Sequence, residues 1–263
     1  MAIHVLENKK ILVLKSRRGE DDLLDYLRNS RAILTYFPVV ETEPNFSSKT
    51  VTSAFNNLKK YKLAIFVSPN AVKFAFEYLD NMKFTLPTEI SYFAVGKVSA
   101  KLLCERVDNV IYPKANFSSE GLLELPQLKQ VSGERILIFR GGQGSEILRD
   151  SLLLKAESVD YCDIYKRKIN KNYLAQARKK MKDIDCLVVF SAQVLSSLGK
   201  LNAICGNHDW SQLTLLVASR RLAKIGEELG YKSIKVANTS SVDGMELALS
   251  LIHISEPTRH DQI

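Results

Sequence analysis

The sequence predicts an α/β fold: two similar domains, each a parallel sheet covered by helices, joined by two extended runs. Two observations carry this. Apolar runs of strand length recur, each followed by a short turn and an amphipathic helical segment, and such strand, helix, strand units build parallel sheets with helices on both faces. The chain also repeats itself. FVSPNAV at 66 aligns with VFSAQVL at 189, so Ser68 and Ser191 stand 123 positions apart (191 − 68), and AVGKVSAKL aligns with VASRRLAKI at the same offset. SSEGLLEL and SVDGMELA keep that offset, pairing Gly121 with Gly244. Near the front the offset is 125: ILVLKSRRGE at 11 matches ILIFRGGQGS at 136, and LTYFPVV matches VDYCDIY. Each half therefore holds one full set of βα units.

Taken in order, KILVLK at 10–15 reads as a buried strand, and the polar turn SRRGED leads to a helix, DLLDYLRNS, with Leu23, Leu24 and Leu27 on its apolar side. Pro38 and Pro44 keep the next run, AILTYFPVVETEP, extended. A short helix is predicted over 49–60. In LAIFVSPNAVKFAFEYL the helix start is well marked, because Ser68 can accept a free N–H as N-cap and Pro69 has no N–H to leave unpaired. Strand, turn and helix follow again in ISYFAVGKVSAKLLCERV, with Gly96 at the turn. NVIYP is a short strand, and the helix of SSEGLLELPQL starts near Ser118 and Ser119. After a turn at Ser132 and Gly133 comes RILIFRGGQGSEILRDSLLL, a strand, a glycine turn and a helix whose apolar face holds Ile147, Leu148, Leu152 and Leu154. A second extended run, SVDYCDIYKRKI, precedes a helix over 171–182, and three further strand, turn, helix segments begin at DCLVVF, LTLLVA and KSIKVA. The closing residues 254–263 are polar and aperiodic, a pattern expected to fray.

Apolar content of 46% and charged content of 25% exclude disordered, collagenous and coiled-coil classes. The formal charge of +8 favours anionic partners without choosing among them. Basic residues are spread along the chain, with no arginine tail and no interleaving with aromatics, which argues against nucleic acid. Cys104, Cys162, Cys186 and Cys205 lie far apart with no CxxC pair, as for reduced, mostly buried thiols. His4, His208, His253 and His260 show no ligand spacing and read as surface or terminal residues, so no metal is expected. No run of about 18 apolar residues occurs, and the expected location is the cytoplasm, with no membrane partner.

In open parallel sheets ligands bind beyond the carboxyl ends of the strands, where the βα turns lie. The turns here are Lys15 to Arg18, Ser68 to Asn70, Gly96 to Ser99, Arg140 to Gly144, Ser191 to Gln193 and Ser219 to Arg221. They offer hydroxyls, basic side chains and helix N-termini, suited to an anion. Their serines are also plain helix caps. RGGQG fits neither the dinucleotide nor the P-loop spacing, and no turn supplies a carboxylate pair or a Cys/His dyad. Tyr165 stands out at the end of VDYCDIYKRK. A tyrosine in an extended run is often half-buried packing, but the repeat places Val40 at the equivalent position, and Lys166 and Arg167 favour its hydroxyl as a donor to an anionic group.

In their order and spacing, FVSPNAV, AVGKVSAKL, RILIFRGGQGSEIL with DIYKR after it, VVFSAQVL and VASRRLAKIGEELGY resemble the uroporphyrinogen-III synthases over about residues 10–250. The resemblance implies one domain from residues 1–36 with 170–263, another from 41–164, and hinge strands at about 34–43 and 159–169. It implies a lyase of haem biosynthesis, a cytoplasmic monomer needing no cofactor or metal. Such an enzyme closes and dehydrates hydroxymethylbilane and inverts its last pyrrole ring. The substrate's eight carboxylates suit a basic protein rich in N–H donors, and a transient contact with the enzyme that makes it is implied. Tyr165 becomes the catalytic candidate. The substrate-binding candidates are Lys15 and Arg17 on the first turn, Ser68 and Asn70, Gly96 and Ser99, Arg140 with Gly141 and Gly142, Ser191 and Gln193, and Ser219 with Arg220. The sequence departs from the family pattern where an arginine-proline pair after the first strand and a Gly-Pro-Thr-Thr turn late in the chain are missing. Two rival readings remain open from the residues: a non-catalytic bilobed sensor closing on a small anion, and a phosphate-binding enzyme using RGGQG, for which no acidic ribose or metal ligand stands at a suitable distance.

Overall fold

The first strand, β1 (Lys10–Ser16), is apolar along its centre because both of its faces are covered, with Ile11, Leu12, Val13 and Leu14 fully buried. The computed structural model describes residues 6–16, 21–142, 144–206, 209–237, 244, 248 and 249. Arg17, all four histidines and residues 254–263 lie outside the described residues. The chain forms two compact units, one of Met1–Glu41 with Lys168–Ile263 and the other of Thr42–Arg167.

In the first unit, β1 is followed by α1 (Asp22–Asn29) and β2 (Ile33–Pro44), the strand in which the chain leaves for the second unit. It returns in β8 (Tyr165–Ile169) and continues through α8 (Lys171–Lys180), β9 (Cys186–Val189), α9 (Ala192–Ile204), β10 (Thr214–Val217), α10 (Arg220–Glu228) and β11 (Ser233–Val236). The sheet order is β11-β10-β9-β1-β2-β8, and β1 pairs in parallel with both β2 and β9. Alternate strand residues face opposite sides. Leu12, Leu14, Leu187 and Val189 pack against α8, α9 and α10, while Ile11, Val13 and Val188 pack against Leu23, Leu24 and Leu27 of α1 and against Ala248 and Leu249.

The second unit runs α2 (Lys49–Asn56), β3 (Leu63–Phe66), α3 (Pro69–Met82), β4 (Ser91–Ala94), α4 (Lys97–Leu103), β5 (Val110–Ile111), α5 (Ser119–Leu123), α6 (Pro126–Lys129), β6 (Arg135–Arg140), α7 (Ile147–Leu153) and β7 (Ser158–Asp163). Its strand order, β5-β4-β3-β6-β7, repeats the first unit's β11-β10-β9-β1-β2, strand for strand at the offsets read from the sequence. β3 pairs in parallel with β4 and β6, as do β4 with β5 and β6 with β7. One face is covered by α2, α3 and Leu103 of α4 and the other by Leu122, Leu128, Leu148 and Leu152 of α5 to α7.

Four expectations need correction. Only Leu148 and Leu152 of α7 are buried, whereas Ile147 is 48% and Leu154 85% exposed; α7 has only seven residues, and these two stand at its first position and its C-cap. The helix over 49–60 breaks after Asn56, where a 3-10 turn, Leu58–Lys60, takes over. The second extended run is interrupted at Ile164, between β7 and β8. Finally, all four cysteines are free, but only Cys162 and Cys186 are buried. Burial pushes the Cys186 thiol up to about 12, which leaves it protonated and inert. No helix among the described residues is long and apolar enough to cross a membrane.

Candidate functional site

Parallel pairing sets the turns side by side. Phe66 is in register with both Ala94 and Phe139, so two positions later Ser68, Gly96 and Gly141 emerge together at the carboxyl edge of the second unit's sheet. In the first unit Val189 is in register with Leu14 and Val217, which brings Ser16, Ser191 and Ser219 to the matching edge.

Ser68 is the N-cap of α3: its backbone is extended, and its Oγ accepts from the Ala71 N–H at 3.1 Å. The same Oγ lies 3.2 Å from the Tyr165 hydroxyl. Tyr165 is 2% exposed, with its ring stacked on Phe74 at 5.4 Å between centroids. Its other flank is Gly141. A Cβ there would meet Tyr165 Cζ at 2.1 Å and the hydroxyl oxygen at 2.6 Å, so the ring occupies the space that any side chain at 141 would need. The tyrosine body is thus core packing, and its polar tip ends beside a half-buried serine at a helix N-terminus.

Two residues absent from the sequence-derived set hold this arrangement. Phe74 supplies the stacking face. Asn45, 7% exposed, donates its backbone N–H to the Ile164 carbonyl at 3.0 Å and its Nδ2 to the Asp163 carbonyl at 2.8 Å. The signal available for Asn45 was the Pro44-Asn45 turn, since asparagine side chains in turns compete for backbone groups.

Arg140, expected to bind substrate, is engaged within the second unit. Its Nε donates to Asp163 Oδ1 at 2.8 Å, its Nη1 to Glu146 Oε1 at 2.7 Å, and its guanidinium lies 3.3 Å from the Tyr161 ring centroid. Tyr161 donates to the other Glu146 oxygen at 2.8 Å. The hydrogen bonds from Arg140 and then Tyr161 hold the Glu146 carboxyl below its ordinary range. Glu146 is also the N-cap of α7, so an acid stands at the helix end where an anion was expected. Lys15 is held likewise, by an ion pair of 2.5 Å to Asp21, the N-cap of α1.

Of the remaining candidates, Asn70 is the second residue of α3 and half-buried, Gly96 caps α4, and Gly142 has a positive φ of 59°. Ser99 lies inside α4 at 3% exposure, away from the open side of its turn. Ser191 caps α9 without a side-chain hydrogen bond, and Gln193 beside it is exposed. Ser219 Oγ accepts from the Leu222 N–H at 3.4 Å, and Arg220 is exposed. The structure therefore brings Ser68, Gly141 and Tyr165 into contact. Among the described residues, no group of three or more His, Cys, Asp or Glu could hold a metal ion. A cavity of about 370 Å³ lined by Lys59, Lys60, Lys62, Glu89 and Glu134 lies at the opposite, amino edge of the same sheet.

The chain matches the family model described as uroporphyrinogen-III synthase HemD over residues 31–246. It is 31% identical over 243 residues to the uroporphyrinogen-III synthase of Escherichia coli, covering 91% of this chain and 99% of the relative. The Salmonella typhimurium synthase is 31% identical over 245 residues, with the same coverage. Among solved structures, the fold is similar to uroporphyrinogen-III synthetase from Helicobacter pylori (TM-score 0.58, 18% identity, 92% of this chain and 99% of that one). It is also similar to a mutant synthase from Thermus thermophilus (TM-score 0.56, 15% identity, 94% and 100%).

Proposed function

The chain belongs to the uroporphyrinogen-III synthase family, and on that premise we propose how its residues carry out the family's reaction. The enzyme is a lyase of haem biosynthesis. It closes linear hydroxymethylbilane, releases the terminal hydroxyl as water, and inverts the last pyrrole ring to give uroporphyrinogen III. The observation that carries the assignment to particular atoms is the 3.2 Å contact between the Tyr165 hydroxyl and Ser68 Oγ, at the edge of a parallel sheet where ligands bind.

Loss of the substrate hydroxyl needs a proton at the departing oxygen. In this reading Tyr165 is the donor across its 3.2 Å contact with Ser68 Oγ, which also accepts from the Ala71 N–H, so the serine's own proton is left for the leaving group. Ser68 is the accessible half of the pair and Tyr165 the buried half. The azafulvenium left behind is attacked at its methylene carbon by the substituted carbon of the last pyrrole, giving a spiro intermediate that reopens and closes in the inverted sense, and the proton released on rearomatisation restores the Tyr165 and Ser68 pair. Holding the chain in the geometry for that attack is a positioning effect. Carboxylates at the edge of the second unit's sheet are taken by backbone N–H groups opening α3 and α4, which have no intrahelical partner by position. Arg140 and Lys15, already paired with acids, shape their turns. No cofactor is needed. We place the enzyme in the cytoplasm as a monomer, receiving its unstable substrate through transient contact with the enzyme that makes it.

The test is to supply freshly prepared hydroxymethylbilane, oxidise the products and separate the porphyrin isomers. Isomer III in excess is expected. Only the symmetric isomer I of spontaneous closure would overturn the reading.

A further inference from the structure

Between β7 and β8 a single residue, Ile164, breaks the strand, and the chain resumes at Tyr165. The two peptides before the tyrosine are fixed from both sides. The Ile164 N–H donates to the Arg140 carbonyl at 2.9 Å, while Asn45 takes the two successive carbonyls, Ile164 with its backbone and Asp163 with its carboxamide. At 7% exposure Asn45 is shielded from competing water, which strengthens such bonds.

The internal repeat separates what the fold needs from what the tyrosine needs. At the offset of 125, Asn170 matches Asn45 and Val39 matches Ile164, and the Asn170 N–H donates to the Val39 carbonyl at 2.9 Å. The backbone bond is thus common to both units. The side chains differ. Asn170 Oδ1 caps α8 by accepting from the Tyr173 N–H, and its Nδ2 donates to Glu41. In the unit that carries a tyrosine, the asparagine carboxamide is turned instead to the Asp163 carbonyl.

We infer that Asn45 is a positioning residue for Tyr165: its carboxamide fixes the Asp163–Ile164 peptide and thereby aims the tyrosine ring into the slot between Gly141 and Phe74, with its hydroxyl at Ser68. This rests on the role given to Tyr165 above. Alanine at 45 keeps the backbone bond and removes only the carboxamide.

The experiment measures kcat, KM and the isomer III share on fresh hydroxymethylbilane for wild type, Asn45→Ala, Tyr165→Phe and the double variant, with thermal melting as the folding control. Asn45→Ala is expected to lower kcat about tenfold with KM within about twofold. In the Tyr165→Phe background it is expected to add almost nothing, because the two residues act through one hydroxyl. An equal loss in both backgrounds, or a KM rise at unchanged kcat, overturns the inference. Wild-type turnover of Tyr165→Phe alone removes the tyrosine's role, a failure read from that single variant. Should Asn45→Ala not fold, Asn45→Ser, which keeps a short donor, replaces it; if neither folds, Asn45 belongs to folding and the inference is lost.

Discussion

The two units repeat one plan, and they differ where a tyrosine enters one of them. Arg140 and Lys15 are equivalent by the repeat, as are Glu146 and Asp21, and in both units a base at the strand end pairs with the acid that caps the next helix. Ser68 and Ser191 are equivalent too. Around them the units part. Gly141 answers to Ser16 and Tyr165 to Val40, so the second unit has given up a side chain at one position to seat a large ring from another. Ser68, which that ring reaches, caps its helix and touches a hydroxyl, whereas Ser191 makes no side-chain cap. A duplicated scaffold explains the common features, so the differences are the better guide to chemistry.

Putting the side chain back is the most damaging way to break that asymmetry. In Gly141→Ala the new Cβ would overlap the Tyr165 ring, which is hemmed in by Phe74 and cannot move without leaving Ser68. Turnover is expected to fall about a hundredfold, the cost of misplacing a reacting group by about 1 Å, together with a lower melting temperature. Ser16→Ala in the other unit is expected to leave both within experimental scatter. Equal effects at the two positions would mean that the glycine serves the turn and not the tyrosine. Next in size is Tyr165→Phe, which keeps the packed ring and removes only the hydroxyl. Here kcat is expected to fall at least about tenfold, since general-acid groups contribute about 10²-fold or more where they act directly and the proposed role of this one is exerted through Ser68. Melting should be almost unchanged.

The repeat and the strand, turn, helix rhythm were legible in the sequence because both follow from local periodicity and from the glycine, serine and proline that end each element. Ser68 could be read as a cap and Tyr165 as an anomaly against Val40. What could not be read was the partnership between them: Ser68 and Tyr165 lie 97 residues apart, and the contact depends on the register of β3 against β6 and β6 against β7. Gly141 was singled out for its free N–H, while its function in the fold is the volume it does not fill. Arg140 was read as a ligand donor because a sequence shows a charge without its partners, and Asp163 and Glu146 became visible only once β7 and the following turn were placed beside it.

A smaller effect separates the two capping serines. Ser68→Ala removes the bond to the Ala71 N–H and should cost about 1 kcal/mol of stability. Ser191→Ala removes no cap bond and should stay within about 0.5 kcal/mol. Urea denaturation of the two variants measures the contrast. If Ser191→Ala proved the costlier, its hydroxyl would have a partner the described residues do not supply, and the distinction drawn between the units at these serines would fail.

The smallest effect concerns the acid of each base and acid pair. Glu146 is exposed at 46% of its side chain, whereas Asp21 is exposed at 8%, so the second unit's pair is the one open to solvent. Because the Arg140 and Tyr161 hydrogen bonds depress the folded carboxyl below the ordinary glutamate range, the unfolded chain takes up a proton first as the pH falls. The pair's contribution is therefore fully present above about pH 4.5 and is lost as the pH drops through the lower folded value. Glu146→Gln keeps the side chain's shape and removes the titrating group. Its stability at neutral pH should fall only slightly, as for other exposed pairs, and its stability should decline less steeply than that of wild type below about pH 4.5. Parallel acid limbs for the two proteins would show that Arg140 draws its restraint from Asp163 alone, leaving Glu146 only its place at the start of α7.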